Sequence, residues 1–66
     1  MKIKINGKSE DIEKKLNLAQ LISEIGLCAQ HIVVEHNLRI IPKEEWGGVD
    51  LRELDSIEIV SFVGGG

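Results

Sequence analysis

Three kinds of group in this 66-residue chain have the reactivity for chemistry of their own. They are a carboxylate following Gly64-Gly65-Gly66, the thiol of Cys28, and the imidazoles of His31 and His36. The first is the most informative. A carboxylate is a poor electrophile until one oxygen becomes a good leaving group, as adenylation makes it. Glycine suits that chemistry because it has no Cβ to hinder attack and accepts backbone angles that a narrow site demands. Gly64 and Gly65 allow close backbone approach to another protein. Ordering such a tail costs about 1–2 kcal/mol per residue. Docking of nearby apolar residues, with Val60 and Phe62 as the candidates, has to offset that cost.

Cys28 and the histidines point to less. A single cysteine makes no internal disulfide. Nothing adjacent in sequence marks Cys28 as a reactive thiolate, so it reads as a small buried or half-buried residue. One cysteine and two histidines at unrelated spacings do not form a zinc set, so no metal and no bound cofactor is expected. There is no nucleophile–base pair, phosphate loop or carboxylate dyad, which argues against an enzyme.

The length allows one domain, 1–66, with residues 64–66 as a flexible tail. A chain this short buries only about 60% of its unfolded surface. At 42% hydrophobic residues it is nevertheless a globular sequence. A net charge of −3 argues against nucleic acid or an anionic membrane as partner. The opening alternates lysine and isoleucine instead of forming an apolar leader, and apolar runs are short. A cytoplasmic protein without a membrane segment is the expectation.

The elements that must position the tail follow from periodicity. Residues 1–6 alternate, and Asn6-Gly7 is a strong hairpin signal, so a second, polar edge strand is expected from about Lys8 to Ile12 or Glu13. Leu18, Leu21, Ile22 and Ile25 lie at helical spacing within Leu16 to Leu27. Asn17 with Gln20 forms a capping-box variant, and Gly26 is a left-handed stop. Ile32 to Glu35, ending at His36 in solvent, is a third strand, and Arg39 to Ile41 a fourth. Pro42 to Trp46 reads as one helical turn broken by Gly47-Gly48, with Trp46 as a structural anchor. Val49, Leu51 and Leu54 are expected to anchor an irregular segment. Ser56 onward is the last strand, SIEIVSFVGGG. The order is β-β-α-β-β-β, an α+β fold with a mixed sheet of about five strands on one helix. In the last strand Ile57 and Ile59 face one way, Glu58, Val60 and Phe62 the other. With Ile57 and Ile59 toward the helix, Val60 and Phe62 form an apolar spot on the open face beside the tail.

The opening MKIKINGK, the helix LNLAQLISEIGL, the segment IVVEHNLRIIPKEEW with Pro42 and Trp46 in register, and the ending SIEIVSFVGGG together resemble the ubiquitin-like β-grasp sulfur carriers. The resemblance covers essentially the whole chain and is nearest to the ThiS family of thiamine biosynthesis. It implies that a ThiF-type, E1-like adenylyltransferase uses ATP to adenylate the Gly66 carboxylate. Sulfur from a cysteine persulfide then gives a thiocarboxylate, which a ThiG-type thiazole synthase consumes. The protein would be a carrier and co-substrate, with Gly66 modified and Gly64, Gly65, Val60 and Phe62 meeting partners. Alternatives are the small subunit of molybdopterin synthase, a ubiquitin-like protein modifier, or an interaction module with an inert tail. Two positions depart from the family: Leu38 and Leu54 stand where glycine is usual. The expectation is that both turns change type, since a bulky residue at positive φ costs on the order of 1 kcal/mol.

Overall fold

The first hairpin forms where Asn6-Gly7 places it. In the computed structural model, which describes residues 1–62, strand β1 (Lys2–Ile5) pairs antiparallel with β2 (Lys8–Asp11), Ile5 opposite Lys8. Asn6 and Gly7 have φ of 52° and 82°, as a two-residue turn matching strand twist requires. All four residues of β2 are exposed, in keeping with a charged edge strand.

Within the expected stretch 16–27, helix α1 spans Leu18–Ile25, between the expected N-cap Asn17 and stop Gly26. Asn17 Oδ1 accepts the Gln20 N–H at 2.8 Å, and Gln20 Oε1 accepts the Asn17 N–H at 2.9 Å. Gly26 closes the helix with φ of 85°. Eight residues would not hold a helix alone in water. Burial of Leu18, Leu21 and Ile22, worth about 1.5–3 kcal/mol each, stabilises it against the sheet. Ile25, the fourth residue of the expected stripe, is 42% exposed.

After a 3₁₀ turn at Ala29–His31 come β3 (Ile32–His36), β4 (Arg39–Ile40), a second 3₁₀ segment at Lys43–Gly48, and β5 (Ser56–Ser61). The sheet order is β2-β1-β5-β3-β4. Thus β5 is central, parallel to β1 and antiparallel to β3. Ile3, Val34 and Ile57 from the three middle strands meet Leu18 in a fully buried centre. Trp46 and Leu51 close the core, and the Trp46 indole N–H donates to the Ile41 carbonyl at 2.8 Å. One face of the sheet carries the helix and the other is open.

Several expectations are corrected. Leu38 and Leu54 keep positive φ, 72° and 70°, instead of changing turn type. Both turns are held by long-range bonds: Asn37 N–H to the Ser56 carbonyl, and Leu54 N–H to the Lys2 carbonyl. Leu54 is 76% exposed and anchors nothing, because its turn points it outward. Gly47 and Gly48 continue the 3₁₀ segment instead of breaking it. Cys28 is exposed, since the chain leaves the core after Gly26. No helix among the described residues is long and apolar enough to cross a membrane.

Candidate functional site

The site is the far end of β5 and the sheet face beside it. Val60 lies directly opposite Val33, and Glu58 opposite Glu35, which in turn faces Ile40 across β4. Opposite residues share a sheet face. The alternation therefore puts Val33, Glu35, Ile40, Glu58 and Val60 together on the open side. Phe62 follows two residues after Val60, with its N–H donated to the His31 carbonyl at 2.8 Å. Val60 is 58% exposed and Phe62 46%, while Ile57 on the opposite face is fully buried. The expected division of β5 into a helix-facing and an open side is what the register produces, and Phe62 does not fold back into the core. Val33 and Ile40, at 37% and 66% exposure, enlarge the apolar spot. Sequence reading missed them because only cross-strand pairing brings them beside Val60.

β5 is held at its start by a polar cluster that sequence reading also missed. His36 Nε2 lies 2.8 Å from Asp55 Oδ2, and Asn37 Nδ2 donates to Asp55 Oδ1 at 3.1 Å. The Arg52 N–H donates to Asp55 Oδ2 at 2.8 Å, and the Ser56 N–H to Asn37 Oδ1 at 2.9 Å. Burial pushes the Asp55 carboxyl up. The hydrogen bonds from His36, Asn37 and the Arg52 amide, with the electrostatic attraction of His36, outweigh it and hold the pKa below the ordinary 3.8. His36 is thus half-buried and bonded, not free in solvent as expected. The available signal was an aspartate immediately before a strand, a position that favours a side-chain-capped turn. These groups tie the β3–β4 turn to the lead into β5 and so fix the register of the strand that ends at the tail.

Gly64, Gly65 and Gly66, predicted as the partner-binding and modified residues, lie outside the described residues. Among the described residues no group of three His, Cys, Asp or Glu is placed to hold a metal ion. A groove of about 430 Å³ lined by Met1, Ile12, Lys15, Leu16, Leu51 and Arg52 opens at the end of the sheet away from Ser61. The arrangement is suited to docking and presentation: a rigid central strand, an apolar face beside its end, and a chain that continues from there.

Comparison with known proteins agrees with this geometry. The ThiS family model matches residues 3–66. The chain is 40% identical over 65 residues to the sulfur carrier protein ThiS of Bacillus subtilis, covering 97% of this chain and 98% of that protein. It is 36% identical over 66 residues to a thiazole synthase of Paramagnetospirillum magneticum, covering all of this chain but only 20% of that protein. It therefore spans about a fifth of the length of such relatives. The crystal structure of the thiamine biosynthesis protein ThiS from Geobacter metallireducens superimposes with a TM-score of 0.86 at 28% identity, over the full length of both chains.

Proposed function

This chain belongs to the ThiS family, and on that premise we propose that it is a sulfur carrier for thiamine thiazole synthesis, with the Gly66 carboxylate as the carrying group. The observation that supports this most directly is the match to ThiS along the whole chain, from residue 3 to Gly66. The sheet is the scaffold and no catalytic group is required of it.

The steps follow from carboxylate chemistry. A ThiF-type partner joins the Gly66 carboxylate to the α-phosphorus of ATP and releases pyrophosphate. The acyl-adenylate carbon is then attacked by sulfur, and the C–O bond to AMP breaks. With a cysteine persulfide as donor, the product is an acyl disulfide, and a further thiol reduces its S–S bond to free the thiocarboxylate. Val60 and Phe62 supply apolar contact to the partners, and Gly64 and Gly65 let the tail enter a narrow site. A ThiG-type thiazole synthase as the consumer is supported by relatives of that name that contain a segment like this chain.

The test is C-terminal fragment mass spectrometry after incubation with a ThiF-type enzyme, ATP and sulfide, with a Gly66 deletion as control. Fragment localisation is needed because exchanging oxygen for sulfur nearly matches the mass of one oxidation at Met1 or Cys28. The expected result is an ATP-dependent gain confined to residue 66 and absent from the deletion. An unchanged tail with a demonstrably active partner would overturn the carrier reading. A conjugate to lysine would instead identify a protein modifier.

A further inference from the structure

β5 is flanked unequally. On one side β3 accompanies it to the end: Ile32 lies opposite Ser61, and the Phe62 N–H reaches the His31 carbonyl. On the other side β1 stops at Ile5, opposite Ile57. Asn6 then turns the chain away. Its own N–H takes the Ile57 carbonyl at 2.8 Å, and its side-chain Oδ1 takes the Ile59 N–H at 2.7 Å. Backbone groups point to alternate sides along a strand. Asp55, Ile57 and Ile59 bond on the β1 side, so the Ile59 carbonyl and both the N–H and the carbonyl of Ser61 face that side too. Among the described residues these three groups have no backbone partner there.

A row of unpaired strand groups is a template for another strand. We propose that an extended segment of the activating partner adds to this edge, pairing its backbone with Ser61 in the gap beyond the Asn6-Gly7 turn. The proposal rests on the carrier reading and says how the tail is gripped. Three observations select this occupant. In sequence, Ser61 is followed three to five residues later by Gly64, Gly65 and Gly66, which offer a partner no side chains, so backbone pairing is the means of aligning them. Val60 and Phe62 stand on the open face beside the same edge, exposed, and give an apolar neighbour to a side chain of the incoming strand. The free edge is too short to support a pair of identical chains alone, yet it suffices for a strand that also holds the tail. The incoming segment should therefore carry an apolar residue on the side of Val60 and Phe62.

The direct test is hydrogen exchange of the backbone amides, free and bound to a ThiF-type enzyme, quenched in acid before reading. In the free protein the Ser61 amide should exchange fast while those of Ile59 and Phe62 are slowed. Saturation with the enzyme should slow Ser61 at least tenfold. A Ser61 amide that stays fast in the complex overturns the proposal. So does one already slow in the free protein at high concentration, which would mean that a second copy fills the edge. Ser61→Pro removes this N–H without removing a bond seen in the fold, because proline is tolerated where the N–H faces away from the ladder. It should weaken enzyme binding about tenfold, whereas Ser61→Ala should bind as the parent does. An ester in place of the Val60–Ser61 amide removes the same N–H should Ser61→Pro not fold; binding as tight as the parent refutes the pairing. Thiocarboxylate formation on the parent is read separately. Its absence alongside normal enzyme binding counts against the carrier reading, while Ser61 protection still decides the pairing.

Discussion

Leu38→Gly should make this protein more stable, although it deletes a leucine. Leu38 sits at φ of 72°, where an L-residue with a Cβ is strained by about 1–2 kcal/mol. The side chain is 89% exposed, so its removal forfeits only about 0.2 kcal/mol of a burial worth 1.5–3 in full. Glycine's extra freedom in the unfolded chain costs about 0.5–1 kcal/mol. The balance is a gain of about 0.5 kcal/mol, which in a domain this small raises the melting temperature by about 2–4 °C. Leu54 has the same strain at φ of 70° but is 76% exposed and loses roughly 0.5 kcal/mol of burial. Leu54→Gly should therefore gain less than Leu38→Gly. Leu38→Ala is the control: it removes the exposed apolar group and keeps the Cβ, so it should gain nothing. Thermal melts and urea titrations of the three variants measure all of this. If Leu38→Ala stabilised as much as Leu38→Gly, the benefit would not come from the backbone and the reasoning would be wrong.

Asp55→Asn should destabilise the protein at neutral pH by about 2–3 kcal/mol, since it weakens three hydrogen bonds to a buried carboxylate. Because folding lowers the Asp55 pKa, its contribution is present above 3.8 and is lost as pH falls below that value through the folded pKa. Denaturant melts of the parent and Asp55→Asn should accordingly converge as the pH is taken progressively below 3.8. Trp46→Phe should cost about 2 kcal/mol, as the Ile41 carbonyl loses its indole donor and the core loses volume; a cost under 0.5 by urea titration would show that Trp46 is not an anchor. Val60→Ser with Phe62→Ser should leave the melting temperature within a few degrees, because both side chains are largely exposed. Binding of a ThiF-type enzyme should fall at least tenfold, and unchanged affinity in a titration would remove the open face from the docking surface.

The parts legible in the sequence are those decided by neighbours along the chain. Asn6-Gly7 specifies its turn because both positions accept positive φ, whatever lies elsewhere. Asn17 with Gln20, the leucine and isoleucine spacing, and Gly26 locate a helix by local hydrogen bonding and by one apolar stripe. Alternation in β5 separates Ile57 from Val60, because side chains on a strand point to opposite faces by geometry alone. Pairing between distant segments is a different matter, since the choice of neighbour depends on which combination buries the most apolar surface at once. Only the tertiary structure could place β5 in the centre beside β1, bring Val33 and Ile40 to Val60, join His36 and Asn37 to Asp55, and leave Ser61 with an open edge. The same holds for Leu38 and Leu54: local preference argued for altered turns, yet the bonds from Asn37 to Ser56 and from Leu54 to Lys2 hold the original geometry. A strain of about 1–2 kcal/mol at each turn is smaller than the loss of register that releasing it would bring.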